Sequence, residues 1–159
     1  MDWNQVLADP SLQDLPYKIE TNRSGKIIMT PAKNWHARVQ SRVARKLDEL
    51  AANGEVLTEA AIGTSDGVKV PDAAWLSEEF LKRNGEIDPY PEAPELCIEV
   101  VSRSNSKAEL DQKRSLFFEM GATEFWLCTE NGDVRFFTKD GEVDSSILFP
   151  SFPKSLPRR

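Results

Sequence analysis

An acidic residue interrupts the most apolar strand-like segment of this chain. Segment 95–101 is almost continuously apolar, as expected for a strand that is covered on both faces, yet Glu99 lies within it. Asp72 takes a similar position in segment 68–76, directly after Pro71. Burying an unpaired carboxylate costs several kcal/mol. Each side chain must therefore reach water or meet a positive charge, and this requirement limits how the two segments can be placed.

Both acids have a structural interpretation beside the functional one. Glu99 fits an edge position with its carboxylate in water, and Pro71-Asp72 fits a turn at the start of a strand. The functional alternative is that the two carboxylates meet around a cation. Oxygen ligands of this kind suit Mg²⁺, which leaves coordination positions for water and a phosphate.

Lys113 lies on the apolar stripe of a predicted helix, together with Leu110, Phe117 and Met120. A lysine in such a stripe can extend past the edge of the core into water. It can instead reach toward the two acids, which would explain an inward position.

Three other polar residues are candidates for the same site. His36 and Gln40 are four positions apart on the apolar face of the first long helix. A histidine there is either a hydrogen-bonded core residue or a group at the mouth of a site. Glu59 ends a predicted strand, as either a solvated strand end or a further metal ligand.

Composition excludes some classes of protein. The 159 residues, 40% apolar and 29% charged, suit one globular domain with its own core. No apolar run approaches the roughly 20 residues that span a bilayer, and the first residues lack a signal-peptide pattern, so we expect a cytoplasmic protein without membrane association. The net charge of −6 argues against an extended basic surface for nucleic acid, although positive charge can concentrate on one face. Cys97 and Cys128 lie in predicted inner strands and are expected to be buried free thiols.

Hydrophobic periodicity and turn residues predict strands mixed with two long helices, hence an α/β or α+β domain over 1–159 whose helices cover a sheet. Residues 1–16 are an irregular or short helical lead-in, and about 145–159 form a tail. The predicted elements are hairpin strands 17–20 and 26–29, a helix from an Asn34 cap to about 53, strands 55–60 and 68–76, a short helix 78–82 after Ser77, a loop 84–94, strand 95–101, a helix 106–120 ending at Gly121, strands 123–129 and 133–138, and a short strand after about 141.

The order Pro71-Asp72 and then Glu99 in a following strand resembles the PD-(D/E)XK nuclease superfamily. Val101 stands where that pattern has a lysine, two positions after the glutamate. Over about residues 5–137 the chain more specifically resembles the restriction-endonuclease-like Uma2 family. The stretches that carry this resemblance are Tyr17-Lys18-Ile19-Glu20, 26–31, His36, 70–75, 94–102, Lys113, 121–124 and Trp126-Leu127.

The resemblance implies a restriction-endonuclease-like central mixed β-sheet flanked by helices. It implies Asp72 and Glu99 as metal ligands for Mg²⁺ or Mn²⁺, with Glu59 as a candidate third acid. Lys113 would be the catalytic lysine, moved from the strand to the helix, and Ser102 would supply a hydroxyl after the catalytic strand.

The function that we expect on this basis is a Mg²⁺-dependent endonuclease that hydrolyses phosphodiester bonds of DNA. A homodimer is expected because dimers are common among enzymes that cut both DNA strands. The first alternative is a catalytically inactive binding or assembly protein that kept the nuclease fold, which the pI of about 4.9 and Val101 favour. The second is that Asp72, Glu99 and Lys113 form a purely structural salt-bridge cluster.

Overall fold

The structure is a computed structural model that describes residues 1–103 and 105–157. Runs of strands are separated by helices along the chain, with one turn of 3-10 helix at Pro10–Leu12. The elements are α1 Trp3–Ala8, β1 Tyr17–Thr21, β2 Ile27–Pro31, α2 Asn34–Leu50, β3 Glu55–Thr58, β4 Ile62–Thr64, β5 Gly67–Lys69, β6 Ala73–Leu76, α3 Glu78–Asn84, β7 Leu96–Val100, α4 Lys107–Glu119, β8 Glu124–Cys128, β9 Val134–Thr138 and β10 Gly141–Val143.

A six-stranded mixed sheet with the order β10-β9-β8-β7-β6-β3 forms the centre. Strands β7 and β8 are parallel and are joined by α4, while their other neighbours are antiparallel. The hairpins β1–β2 and β4–β5 are separate two-stranded sheets. This mixed sheet with flanking helices confirms the predicted fold class.

The register of β6 against β7 sets the position of the two acids. Ala73 pairs with Ile98 in antiparallel orientation. One step outward along both chains, Asp72 therefore comes opposite Glu99, and directly opposed residues project to the same face of a sheet.

Two apolar layers cover the sheet, which explains the continuous apolar pattern of β7. Leu96, Ile98 and Val100 pack in one cluster with the buried face of α2, which includes Val43. Cys97 packs in the other cluster with Phe117 of α4. By alternation, Glu99 shares the side of Cys97 and so projects toward α4.

The C-terminal segment contributes to the core although it is irregular. Phe149, Phe152 and Leu156 are buried among the residues that pack on α2. The fully buried Glu124 carboxylate anchors the segment by accepting hydrogen bonds from the Ser146 hydroxyl and the backbone N–H groups of residues 147 and 148. The last two positions of the predicted tail lie outside the described residues.

The structure corrects the predicted strand 68–76. Strand β5 ends at Lys69 and pairs with β4, and β6 begins only at Ala73. Pro71 has no N–H group for a strand ladder, so the chain changes sheets at this point. Asp72 therefore lies in the connection immediately before β6 rather than inside a strand.

Two predicted boundaries also differ. Strand β3 stops at Thr58 because Glu59 adopts a left-handed conformation with φ of 59°. Asn34 is the first residue of α2 and does not cap it; Lys33 holds the cap position without a side-chain hydrogen bond. The predicted cap Ser77 is confirmed, since its hydroxyl accepts a hydrogen bond from the Phe80 N–H.

Among residues 1–103 and 105–157, no helix has the length and apolar character to cross a membrane. Cys97 and Cys128 are buried and free, as predicted. Burial raises the pKa of both thiols, which keeps them in the neutral form.

Candidate functional site

Asp72, immediately before β6, lies beside Glu99, near the end of β7. Asp72 is 1% exposed and Glu99 is 4% exposed. Neither carboxylate reaches water as an edge residue would, so the solvated interpretation of Glu99 is wrong. The cost of burying them must be offset by positive groups nearby.

The first positive group is Lys18, on β1. Its Nζ lies 3.1 Å from Asp72 Oδ1 and 3.4 Å from Glu99 Oε2, and its side chain is only 11% exposed. These two carboxylate oxygens therefore face the same point in space, and a single ammonium group fills it.

The second positive group is Lys113, on α4. Its Nζ lies 3.1 Å from Glu99 Oε1 and 2.9 Å from Oε2 of Glu20, a third buried carboxylate on β1. Glu20 Oε2 is fixed by the backbone N–H of Val70, at 2.7 Å. The side chain of Lys113 is 20% exposed, so it still borders solvent. Of the two positions that the sequence left open, Lys113 takes the inward one, but its partners are Glu99 and Glu20 and not Asp72.

The N-terminal part of α2 fixes the orientation of Asp72. His36 Nε2 lies 3.3 Å from Asp72 Oδ2, and the Val100 N–H donates to the same oxygen at 2.7 Å. Gln40 donates its side-chain amide to the backbone carbonyl of Asp72 at 2.8 Å. Oδ2 is thus occupied by fixed donors, which leaves Oδ1 directed at Lys18. His36 and Gln40 thus both contact Asp72, which agrees with the second of the two interpretations that the sequence left open for His36.

The two central acids differ in electrostatics. Burial alone would raise the pKa of Asp72, but the hydrogen bond from His36 and the positive charge of Lys18 outweigh it and hold that pKa well below the usual range. Burial raises the pKa of Glu99 to about 7, since Lys113 and Lys18 only partly compensate for it and the neighbouring carboxylates add repulsion. Burial would lower the pKa of the Lys18 ammonium, but Glu99 and Asp72 raise it far above its usual value.

The residues present fit a hard divalent cation. Asp72 Oδ1 and Glu99 Oε2 converge on one positively charged group, and Mg²⁺ commonly uses only one or two protein carboxylates together with water and a substrate phosphate. Within the described part of the chain, no group of three or more His, Cys, Asp or Glu side chains forms a preformed metal cage. The arrangement therefore suits an ion that is held partly by water and substrate.

Glu59 and Ser102 lie apart from this cluster. Glu59 is exposed in the turn after β3, and within residues 1–103 and 105–157 no hydrogen bond or ion pair joins it to Asp72 or Glu99. Ser102 follows β7, where its hydroxyl and N–H both donate to the Asn105 side chain. Glu20, not Glu59, is the third acid of the cluster.

Sequence reasoning did not assign a site role to Lys18 or Glu20. The signal for them was the alternation in Tyr17-Lys18-Ile19-Glu20, which puts the lysine and the glutamate on one face of β1. That pattern is also typical of a surface hairpin with a polar outer face. Only the packing of β1 beside β5, where the Thr21 hydroxyl accepts a hydrogen bond from the Val68 N–H, turns this face inward.

A cavity of about 680 Å³ lies elsewhere, between α4 and the β9–β10 hairpin. It is a shallow surface groove that includes Arg114, Phe137 and Glu142 and none of the cluster residues. The acids that line this groove, Glu119, Asp140 and Glu142, lie at the surface, whereas Asp72 and Glu99 are buried carboxylates whose oxygens meet at one point, so Asp72 and Glu99 form the candidate site.

Comparison with known proteins bears on the same residues. The family model Uma2, described as "putative restriction endonuclease", matches residues 9–154, a span that includes Lys18, Asp72, Glu99 and Lys113. The chain belongs to the Uma2 family. No curated protein matches this Uma2 protein.

One solved structure that resembles it is that of a "putative nuclease belonging to DUF820" from Anabaena variabilis ATCC 29413. The two chains share 16% sequence identity with a TM-score of 0.71, and the alignment covers 98% of this chain and 94% of the other. At this identity the likeness supports the fold, over almost the whole of both chains.

Proposed function

We propose that this Uma2 protein is a Mg²⁺-dependent endonuclease that hydrolyses phosphodiester bonds of DNA. The observation that carries the proposal is the convergence of Asp72 Oδ1 and Glu99 Oε2 on one point, 3.1 and 3.4 Å from a single ammonium, with the Lys113 ammonium beside Glu99. Membership in a family described as restriction endonuclease-like supports the nuclease class.

Asp72 and Glu99 are the residues that would hold the cation. When bound, Mg²⁺ supplies polarisation of a phosphate oxygen and a lowered pKa for a bound water. His36 and the Val100 N–H keep Asp72 Oδ2 engaged, so that Oδ1 stays directed into the site. Gln40 restrains the backbone of the same residue.

Lys113 is the group that we propose to contact the substrate. Its ammonium is held between Glu99 and Glu20, and its side chain is 20% exposed, so a phosphodiester can approach it from solvent. A positive charge held in place at a phosphoryl group stabilises the negative charge that develops there as water attacks phosphorus and the bond to the leaving oxygen breaks. Only the ammonium has to arrive, so a lysine on α4 can serve where Val101 occupies the strand position.

The test is nicking of supercoiled plasmid DNA in Mg²⁺ or Mn²⁺ by wild type, Asp72→Ala and Glu142→Ala. Glu142 is a matched control because it is an exposed carboxylate that pairs with Arg135, outside the cluster. We expect nicking by wild type and Glu142→Ala, its loss in Asp72→Ala, and none in EDTA. Equal nicking by wild type and Asp72→Ala would refute the proposal.

A second candidate is a non-catalytic nuclease-fold protein that binds a partner. The observation in its favour is that two lysines already neutralise much of the carboxylate charge without a cation. This candidate predicts DNA or protein binding that is insensitive to metal and unchanged by Glu99→Gln. A metal-dependent affinity that Glu99→Gln abolishes would exclude it.

We also propose that the active form is a homodimer, since a dimer presents one site to each DNA strand. Analytical ultracentrifugation at enzyme-assay concentrations is the measurement. A species of 17.9 kDa that cleaves both strands in one binding event would contradict this.

A further inference from the structure

The position of Lys18 is unusual because its ammonium lies where a bound cation would be needed. Its Nζ contacts one oxygen of Asp72 and one of Glu99, the same two oxygens that converge in the site. Lys113, by comparison, contacts the other oxygen of Glu99 and does not contact Asp72. The two lysines therefore occupy different positions: Lys18 contacts both candidate ligands, and of the two Lys113 contacts Glu99.

A divalent cation and the Lys18 ammonium cannot both occupy the point between Asp72 and Glu99. With three carboxylates and two ammonium groups, the cluster has a formal charge of −1 when His36 is neutral. A divalent cation would bring it to +1 if both lysines stayed and to zero if one left. Two cations on the same pair of carboxylate oxygens also repel each other strongly in a buried site.

Lys18 is the lysine that can leave. Its flexible side chain, with a strongly hydrated ammonium, comes from a two-stranded hairpin that is separate from the central sheet. Lys113 projects from the middle of α4 and has a second carboxylate partner, Glu20, besides Glu99.

We propose that Lys18 is a placeholder for the divalent cation: its ammonium holds Asp72 and Glu99 together in the metal-free protein and is displaced into solvent when the cation binds. This rests on the proposed function, because it takes the same two carboxylates as ligands. It goes further in making Lys18 a competitor that sets the metal affinity, and in predicting a side-chain movement coupled to metal binding.

The first test measures exposure of the lysine amines directly. Wild-type protein is treated with formaldehyde and cyanoborohydride, with and without Mn²⁺ alone, and methylation at each lysine is followed by mass spectrometry. We expect Lys18 to be methylated slowly without Mn²⁺ and at least tenfold faster with it. Lys69 is the matched control, because it is also buried and paired, to Asp66, outside the cluster, and it should stay protected in both conditions.

The second test is calorimetric titration of Mn²⁺ into wild type, Lys18→Met and Lys113→Met. Removing any nearby positive charge favours a cation, but only Lys18 shares both oxygens with it. We therefore expect the affinity to rise at least tenfold in Lys18→Met and clearly less in Lys113→Met. An unchanged or weaker affinity in Lys18→Met, or an equal gain in both variants, would overturn the proposal. If Lys18→Met does not fold, the methylation of wild type decides alone.

The outcomes separate this inference from the proposed function. If Mn²⁺ binds the wild type while Lys18 stays protected from methylation, the placeholder role fails and the proposed function stands. If Mn²⁺ binds neither wild type nor Lys18→Met, the placeholder role fails, and the proposed function is tested by the same titration with DNA present. Binding to Lys18→Met but not to wild type would mean that the cation does not displace Lys18, and this would also overturn the placeholder role.

Discussion

Replacing Asp72 by Asn tests the electrostatic network in the metal-free protein. The carboxylate is 1% exposed and accepts hydrogen bonds from the Val100 N–H at 2.7 Å and Lys18 at 3.1 Å, with His36 at 3.3 Å. Burial would raise its pKa, but these partners lower it, so the fold favours the charged form. Asn keeps the shape of the side chain and removes the charge on which Lys18 depends.

The expected loss follows from the partners that remain. Breaking one partner of a buried ion pair costs about 3–5 kcal/mol. Lys18 retains Glu99, so we expect a loss near the lower end, about 3 kcal/mol of unfolding free energy. For a chain of this size that corresponds to a fall in Tm of about 6–12 °C.

The assay is thermal and urea unfolding followed by circular dichroism, in EDTA at pH 7.5. The control is Asp140→Asn, an exposed turn residue, which should change stability by less than about 0.5 kcal/mol. Because the folded pKa of Asp72 is depressed, its contribution is fully present above the unfolded value near 3.9 and is lost as the pH falls further. The deficit of Asp72→Asn should therefore shrink below about pH 4. A variant as stable as wild type at pH 7.5, or more stable, would show that repulsion among the carboxylates outweighs their pairing with the lysines.

Three further predictions address single residues. Burial raises the pKa of Glu99 to about 7 from a usual value near 4.5, so the contribution of Glu99 to folding is greatest below about pH 4.5 and is lost as the pH rises to 7. Glu99→Gln should remove this decline with pH in the free energy of urea unfolding. An unchanged decline would mean that another group titrates. Lys113→Ala should slow plasmid nicking by about 10²–10³-fold, since it removes a positive charge at the phosphoryl group. DNA binding, measured by gel shift in Ca²⁺, should be retained. A loss of binding with unchanged turnover of bound DNA would contradict this role. Glu124→Gln should destabilise the fold by about 2 kcal/mol, because a buried acceptor of three hydrogen bonds loses its charge, and should leave Mn²⁺ affinity unchanged in calorimetry.

Much of the central sheet could be predicted because local pattern and tertiary environment agree there. Strand β7 is continuously apolar since both faces are covered, and the helix after it begins at a Ser106–Glu109 capping box. The hairpin of β8 and β9 follows from Asn131-Gly132. The predicted strand 68–76 ran through Pro71, although a turn at Pro71-Asp72 was the alternative interpretation; the pairing of β5 and β6 with different sheets decides for the break.

At the site, charged residues that interrupt an apolar sequence pattern could be predicted. Glu99 and Lys113 are charged groups in apolar patterns, and the structure brings them within 3.1 Å. Lys18 and Glu20 gave no such contrast, because polar residues alternating along a hairpin are ordinary. Glu59 was a candidate because it ends a predicted strand and the family resemblance implies a third acid, but its left-handed backbone conformation ends β3 in an exposed turn.

The most direct test of Asp72 and Glu99 as the ligands of a divalent cation is calorimetric titration of Mn²⁺ into wild type and Asp72→Asn. Circular dichroism first shows that both proteins are folded, and a phosphorothioate DNA duplex is present in each titration to supply a phosphate ligand. We expect a saturable site in wild type that is lost, or weakened at least a hundredfold, in Asp72→Asn. Equal Mn²⁺ affinity in the two proteins, or no binding to wild type even with DNA, would contradict it.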